Sequence, residues 1–217
     1  MSNVMFDFLD GDTLIYRIPA LLIAMALHEY AHAYVSDSLG DPTPGEQGRL
    51  TANPLAHLDP VGLVLLALCG FGWAKPVQIN PSYYKNVRSG VIQVSFAGPG
   101  MNLLVCFLAE CIMLVMMHLG FLFPGQPGYY FLYWIMLYNV WFAFFNLIPV
   151  PPLDGSKILE MLLPGKWAWH FHNFSYRYSF VLLMVLVFSG AVGKIIGPLS
   201  RFYTGVSMKM IDSLLRF

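Results

Sequence analysis

His28, Glu29 and His32 stand out first, within the run ALLIAMALHEYAHAYVSDSL over residues 20–39. On a helix His28 and His32 lie one turn apart on the same face, where two imidazoles can grip one zinc ion. Glu29 projects about 100° further round. It is then free to act on a water beside the metal without being a ligand itself. HExxH also arises by chance in charge-rich soluble helices, where it costs nothing. Here residues 18–27 are almost wholly apolar, Pro19 being the one irregular choice. Ionisable groups in such surroundings are costly unless they pair or bind something, so a metal site is the better reading.

A catalytic zinc keeps three protein ligands and one open position. The candidates for the third are Asp154, His57, Asp59, Glu110, His118, Glu160, His170 and His172. His118 lies at the far end of an apolar segment, and His170 and His172 flank Trp169 and Phe171, as interfacial side chains do. Glu160 has Lys157 three residues before it, the spacing of an ordinary helical ion pair. Glu110 is a lone acid in an apolar stretch and a functional suspect on that ground. His57 and Asp59, in LAHLDP, suit a supporting role or a turn cap, and His57 is the runner-up ligand. Asp154 is favoured, because NLIPVPPLDG holds it on a rigid bend at the end of an apolar segment.

The elements that must carry these residues belong in lipid. Of 217 residues, 57% are hydrophobic and only 11% charged, where a soluble domain carries about 25% charge. Mean hydropathy is +0.61. Twelve basic and twelve acidic residues leave no net charge, which removes any global argument for nucleic acid. Cys69, Cys106 and Cys111 lie in apolar stretches without a CxxC pair and read as small hydrophobes. A cleaved leader is not expected, since Asp7, Asp10 and Asp12 precede the first apolar run with only Arg17 in reply.

Hydropathy and helix-breaking residues predict an all-α polytopic membrane protein with about five transmembrane helices. Spans are expected over residues 14–39, 90–119, 129–147 and 174–196, with an interfacial amphipathic helix over 197–217. Residues 61–73, VGLVLLALCGFGW, are short for a span and read as a re-entrant segment. Two extended pieces, 48–52 and 75–81, are expected to form small β-hairpin elements around the metal. Asp154 is placed to N-cap a helix over 156–163. The whole is read as one domain, with a core over 14–165 and C-terminal helices over 173–217. Lys75, Lys85 and Arg88, with Lys157 and Lys166, mark the cytoplasmic loops and put the turn over 120–128 outside. Lys194, Arg201, Lys209 and Arg216 fit this topology only if the C-terminal part contains a partial extra segment.

With these residues in hand, the chain resembles the site-2 protease family of intramembrane zinc metalloproteases, in its small prokaryotic branch without a PDZ domain. The resemblance rests on HEYAH, GDPTP, GRLTANPLAHLDPVG, FGWAKPVQINP, AGPGMN and NLIPVPPLDG, which together cover most of the chain. It implies that His28, His32 and Asp154 bind one zinc ion per chain and that Glu29 is the catalytic acid and base. It implies that Asn146 is an active-site asparagine and that Asn102, closing Gly98-x-x-x-Asn102, lines the same cavity. It leaves Glu110 unexplained.

The implied reaction is hydrolysis of peptide bonds within transmembrane segments of membrane proteins, in regulated proteolysis or in clearance of membrane remnants. Glu29 would take a proton from the attacking water and Asn146 would steady the oxyanion. A helical substrate must unwind, and adding it as a strand to Gly48, Arg49, Leu50 and Thr51, or to residues 76–80, would re-satisfy its backbone. Its partners would be the substrate and the bilayer, in a prokaryotic inner membrane with the site nearer the cytoplasm. The competing reading is a metal transporter or metal-binding membrane protein, with His28, His32, Glu29 and Glu110 along a cation path.

Overall fold

A computed structural model of the chain describes residues 11–59 and 75–215. Helix dominates: α1 Gly11–Ser38, α2 Thr43–Glu46, α3 Pro54–His57, α4 Val87–His118, α5 Pro127–Asn146, α6 Asp154–Leu162, α7 Gly165–Arg177, α8 Ser179–Phe188 and α9 Ala191–Leu215. The expected re-entrant segment over 61–73 lies outside the described residues.

The ends of the long helices follow local chemistry. Beyond α1, Gly40 turns the chain at φ +100°, a conformation open to glycine because it has no Cβ. Asn86 caps α4 by accepting the Ser89 N–H at 3.0 Å. α5 starts on Pro127, whose missing N–H would have no helical partner there in any case.

The three helices α1, α4 and α5 pack on one another, and α9 lies against α4 and α5. Alanines make this possible on α1, where Ala20, Ala24 and Ala31 are buried and let the neighbouring backbones come close. Cys106, Ala109, Met113, Ile135, Met136 and Val140 fill the space between α4 and α5. The opposite face of α4 is apolar and open: Leu104, Leu108 and Ile112, one turn apart, are each about half exposed. Water would penalise such a stripe, whereas lipid solvates it.

Among the described residues two helices, Thr13–Ser38 and Val87–His118, are long and apolar enough to cross a membrane. A third span results if α7 and α8, bent by 72°, count as one. α5 has 20 residues, but tyrosines, tryptophans and two asparagines dilute its apolarity. The continuous helix expected over 174–196 is broken twice, at Tyr178 and at Ser189–Gly190, where Gly190 has φ +71°. The interfacial helix expected over 197–217 is instead part of the 25-residue α9. Its Tyr203 hydroxyl donates to the Leu103 carbonyl at 2.8 Å, and Ser207 donates to Glu110. Those contacts seat α9 on α4 rather than at a surface.

The expected strand over 48–52 is turn and bend. Gly48 has φ +66°, and the Arg49 N–H is taken by the Pro44 carbonyl at 2.8 Å, so backbone groups are spent locally and not in a ladder. Residues 75–80 are likewise non-helical without forming a strand. They are held by single bonds, from the Lys75 N–H to the His57 carbonyl at 2.8 Å and from Gln47 Nε2 to Gln78 Oε1 at 3.0 Å.

Candidate functional site

α1 carries His28 and His32 toward α4, and the bend after α5 brings Asp154 to meet them. The three are buried, and their ligand atoms all lie within 4.8 Å of one another. His28 Nε2 is 3.0 Å from His32 Nε2, and Asp154 Oδ2 lies 3.2 Å and 3.1 Å from the two nitrogens.

The other faces of the same side chains decide what this cluster can hold. His28 Nδ1 lies 2.6 Å from Asn102 Oδ1, and His32 Nδ1 lies 2.7 Å from the Val94 carbonyl. Both partners are acceptors, so each Nδ1 carries a proton and each Nε2 is the nitrogen turned into the cluster, a lone pair whenever the ring is neutral. With both rings neutral, two lone-pair nitrogens and a carboxylate oxygen converge. Such a set repels itself until a cation enters. Two imidazole nitrogens and one carboxylate oxygen match the donor set of an open, three-ligand zinc site. Gly98 leaves the room: a Cβ there would lie 2.6 Å from both Nε2 atoms. Pro99 follows, and its missing N–H frees the Ser95 carbonyl and loosens the turn in which the Val94 carbonyl meets His32.

Asp154 opens α6 without capping it. The N-cap expected of it is absent because the carboxylate is spent elsewhere, Oδ2 on the imidazoles and Oδ1 on Lys157 Nζ at 3.1 Å. Lys157 thus pairs with Asp154 and not with Glu160, which instead meets His172 at 3.0 Å. Both partners stand three residues from Lys157, so spacing alone favoured neither. Phe142 of α5 packs against His28 edge-on, ring centroids 4.9 Å apart.

Glu29 is half-buried, and its Oε2 accepts the Val77 N–H at 3.0 Å. Residues 75–80 therefore run beside the glutamate. Asn146, at the end of α5, donates one Nδ2 proton to the Phe142 carbonyl at 3.0 Å and keeps the other. Asn102 is fully buried, donating to the Ala24 carbonyl at 2.9 Å and to Asn139 Oδ1 at 2.8 Å. Asn139 is a site residue that the sequence reading passed over. Its signal was a lone amide in the middle of an aromatic helix.

The remaining ligand candidates stand outside the cluster. His57 is buried, its Nε2 donating to the Thr51 carbonyl at 2.8 Å and its Nδ1 without a partner among the described residues. Arg49 is also buried, with Nη1 on the Ala56 carbonyl. His57, Arg49 and Thr51 thus brace the loop that follows α1, while Leu50 is exposed. Glu110 accepts from Ser207 and from Cys106 Sγ, the latter at 3.8 Å. It is not among the described residues whose ligand atoms cluster with those of His28 and His32.

Comparison with known proteins agrees with this chemistry. The model of "Peptidase family M50" matches residues 126–186, from α5 through most of α8. The chain is 38% identical over 203 residues to YwhC of Bacillus subtilis, a candidate zinc metalloprotease by name, covering 92% of each chain. It is 26% identical over 214 residues to Rip2 of Mycolicibacterium smegmatis, similarly named, covering 90% of this chain and 76% of Rip2. It is 26% identical over 149 residues to the zinc metalloprotease MJ0392 of Methanocaldococcus jannaschii, covering 69% of this chain and 34% of that one. No solved structure matches.

Proposed function

This chain belongs to peptidase family M50, the site-2 protease family, and is a zinc metalloprotease; from that premise we propose that it cuts peptide bonds inside transmembrane segments of other membrane proteins. The observation that carries the reading is the convergence of three potential ligand atoms, His28 Nε2, His32 Nε2 and Asp154 Oδ2, in the same apolar helix bundle that holds Glu29.

In this reading His28, His32 and Asp154 hold one zinc ion. The chemistry that zinc supplies when bound is Lewis acidity toward the scissile carbonyl and a water acidic enough to attack near pH 7. Glu29 takes the proton of that water and passes it to the leaving nitrogen, a role worth about 10²- to 10⁴-fold in rate. Asn146 offers its second Nδ2 proton to the developing oxyanion. Asn102 keeps His28 in the tautomer that leaves Nε2 free. Lys157 holds Oδ1 of Asp154, so only Oδ2 faces the histidines.

The substrate is a helix whose own hydrogen bonds shield its amides, so it must unwind before it is cut. Residues 76–80, beside Glu29, are the edge against which it is laid. Gly48, Arg49, Leu50 and Thr51 border that edge through the Gln47–Gln78 contact, with exposed Leu50 as their apolar contribution. Five spans, α1, α4, α5, the bent pair α7–α8, and α9, cross a prokaryotic inner membrane. The basic residues Lys75, Lys85, Arg88, Lys157 and Lys166 put the site nearer the cytoplasm.

The test is Glu29→Gln in the purified, zinc-loaded chain. It is expected to retain one zinc per chain and to lose cleavage of a model transmembrane substrate by about 10²- to 10⁴-fold. Undiminished turnover in that variant would end the assignment.

A further inference from the structure

Asn139 lies on α5, fully buried, and reaches the His28 side chain only through Asn102. Its surroundings leave its amide one orientation. Asn139 Nδ2 lies 2.8 Å from the Ile135 carbonyl, a group that can only accept, so Asn139 Oδ1 must face the other way. That oxygen meets Asn102 Nδ2 at 2.8 Å. The second proton of Asn102 Nδ2 goes to the Ala24 carbonyl at 2.9 Å. Both protons of the Asn102 amide are thus consumed, and Asn102 Oδ1 is turned to His28 Nδ1 at 2.6 Å. An oxygen there obliges Nδ1 to carry a proton, which makes Nε2 the nitrogen that can offer a lone pair.

We infer that Asn139 is a positioning residue for the metal centre: through Asn102 it holds His28 in its Nδ1–H tautomer, with Nε2 available as a ligand. The inference rests on the reading of His28, His32 and Asp154 as zinc ligands. The relay is anchored at both ends by backbone carbonyls of different helices, Ile135 on α5 and Ala24 on α1, so helix packing sets a proton position. If Asn139 loses its oxygen, one Asn102 N–H is left buried without an acceptor, and the Ala24 carbonyl alone holds the amide against turning over. Turning over would present Nδ2 to His28 Nδ1, reverse the tautomer and place the ring proton on Nε2, where zinc must bind. Asn139→Asp, as the neutral carboxyl that an apolar site favours, keeps an oxygen toward Asn102 and an O–H toward the Ile135 carbonyl, whereas Asn139→Leu keeps the volume and removes both.

Zinc affinity of the full chain in detergent, read by chelator competition, is expected to fall about 10- to 100-fold in Asn139→Leu, the range for outer ligand partners. Asn139→Asp is expected to stay within about threefold of the parent, on the ground that it restores the acceptor. In the parent chain, freed of zinc and labelled with ¹⁵N-histidine, His28 is expected as the Nδ1–H tautomer, its signals assigned by their loss in His28→Ala. Parent-like zinc affinity in Asn139→Leu would overturn the inference, as would equal weakening in the Leu and Asp variants, which would mean packing and not the acceptor. If Asn139→Leu does not fold, the parent tautomer decides, and an Nε2–H form overturns the relay. A parent chain that takes up no zinc at this site overturns the metal-centre reading itself. Parent zinc binding with an indifferent Asn139→Leu overturns the role of Asn139 alone.

Discussion

Two buried carboxylates in this bundle look alike in sequence and differ in what surrounds them. Glu110 sits within an apolar segment and Asp154 just beyond the end of one, and both are almost inaccessible to solvent. Around Glu110 the partners are donors: the Ser207 hydroxyl on one oxygen and the Cys106 thiol on the other. Around Asp154 Oδ2 the partners are ring nitrogens whose protons lie on their far sides, bonded to Asn102 and Val94. The first cluster balances donors against acceptors and is complete. The second, with its rings neutral, has an excess of lone pairs and is a set that could hold a cation. Burial of a charge therefore does not distinguish a functional site from a structural clasp; the sign of the hydrogen-bond balance does.

That contrast can be broken most sharply at Gly98. Adding one methyl by Gly98→Ala puts a carbon 2.6 Å from both ligand nitrogens. It is expected to weaken zinc binding by about 100-fold or more, beyond the usual effect of losing an outer partner. Gly100→Ala, whose Cβ would meet only Phe96 at 3.6 Å, is the matched control and should bind zinc normally. Zinc stoichiometry by mass spectrometry or chelator titration checks both, and a zinc-replete Gly98→Ala would mean the cation does not sit between the histidines.

A smaller effect is expected at the donor-balanced clasp. Glu110→Gln keeps one acceptor, and Ser207 can redirect its hydroxyl to the Tyr203 carbonyl, already 3.0 Å away. The change should alter stability by less than about 1 kcal/mol, leaving zinc content and cleavage unchanged within about twofold. Loss of cleavage in Glu110→Gln, measured on the same substrate as Glu29→Gln, would bring Glu110 into the machinery and erase the distinction.

The effect furthest from the metal belongs to a third buried carboxylate, outside the spans, and is one of stability alone. Asp41 accepts the Asn80 N–H at 2.7 Å, the Ser36 hydroxyl at 2.8 Å and the Thr43 N–H at 3.0 Å. Burial pushes its carboxyl up, but the bonds from Asn80, Thr43 and Ser36 outweigh it and hold the group below the ordinary aspartate range. Because the folded value is the lower one, this stabilisation is complete above the unfolded aspartate range and fades as pH falls through the depressed value. Asp41→Ala should cost about 1–3 kcal/mol at neutral pH. The difference between parent and variant should shrink in acid, which thermal unfolding followed over pH would reveal. A gap that stays constant as the solution is acidified would mean that the bonds to Asp41 do not depend on its charge.

Much of the site was legible before any coordinates. HEYAH dictates two imidazoles and a glutamate on one helix, because helical periodicity is local and needs nothing from the rest of the chain. The proline-rich bend ending in Asp154 was legible for a similar reason, since prolines restrict backbone wherever they occur. The expectations that failed were those in which two local solutions are equally good. Lys157 could reach Asp154 or Glu160 at the same spacing, residues 48–52 could be strand or turn, and residues 174–196 could run straight or break at Tyr178 and Gly190. Hydropathy counts apolar residues but not how a helix seats on its neighbours, so it placed α9 at a surface when Glu110 and Leu103 draw it into the bundle.

The residue types of the zinc site, and the lipid that must surround it, were determined by the sequence alone, because composition and helical spacing are properties of the chain. Which nitrogen of His28 carries a proton, and hence which can bind a metal, was decided only by the tertiary structure. A tautomer is set by the acceptor it meets, and that acceptor, Asn102, is 74 residues away on another helix and is turned by Asn139 on a third.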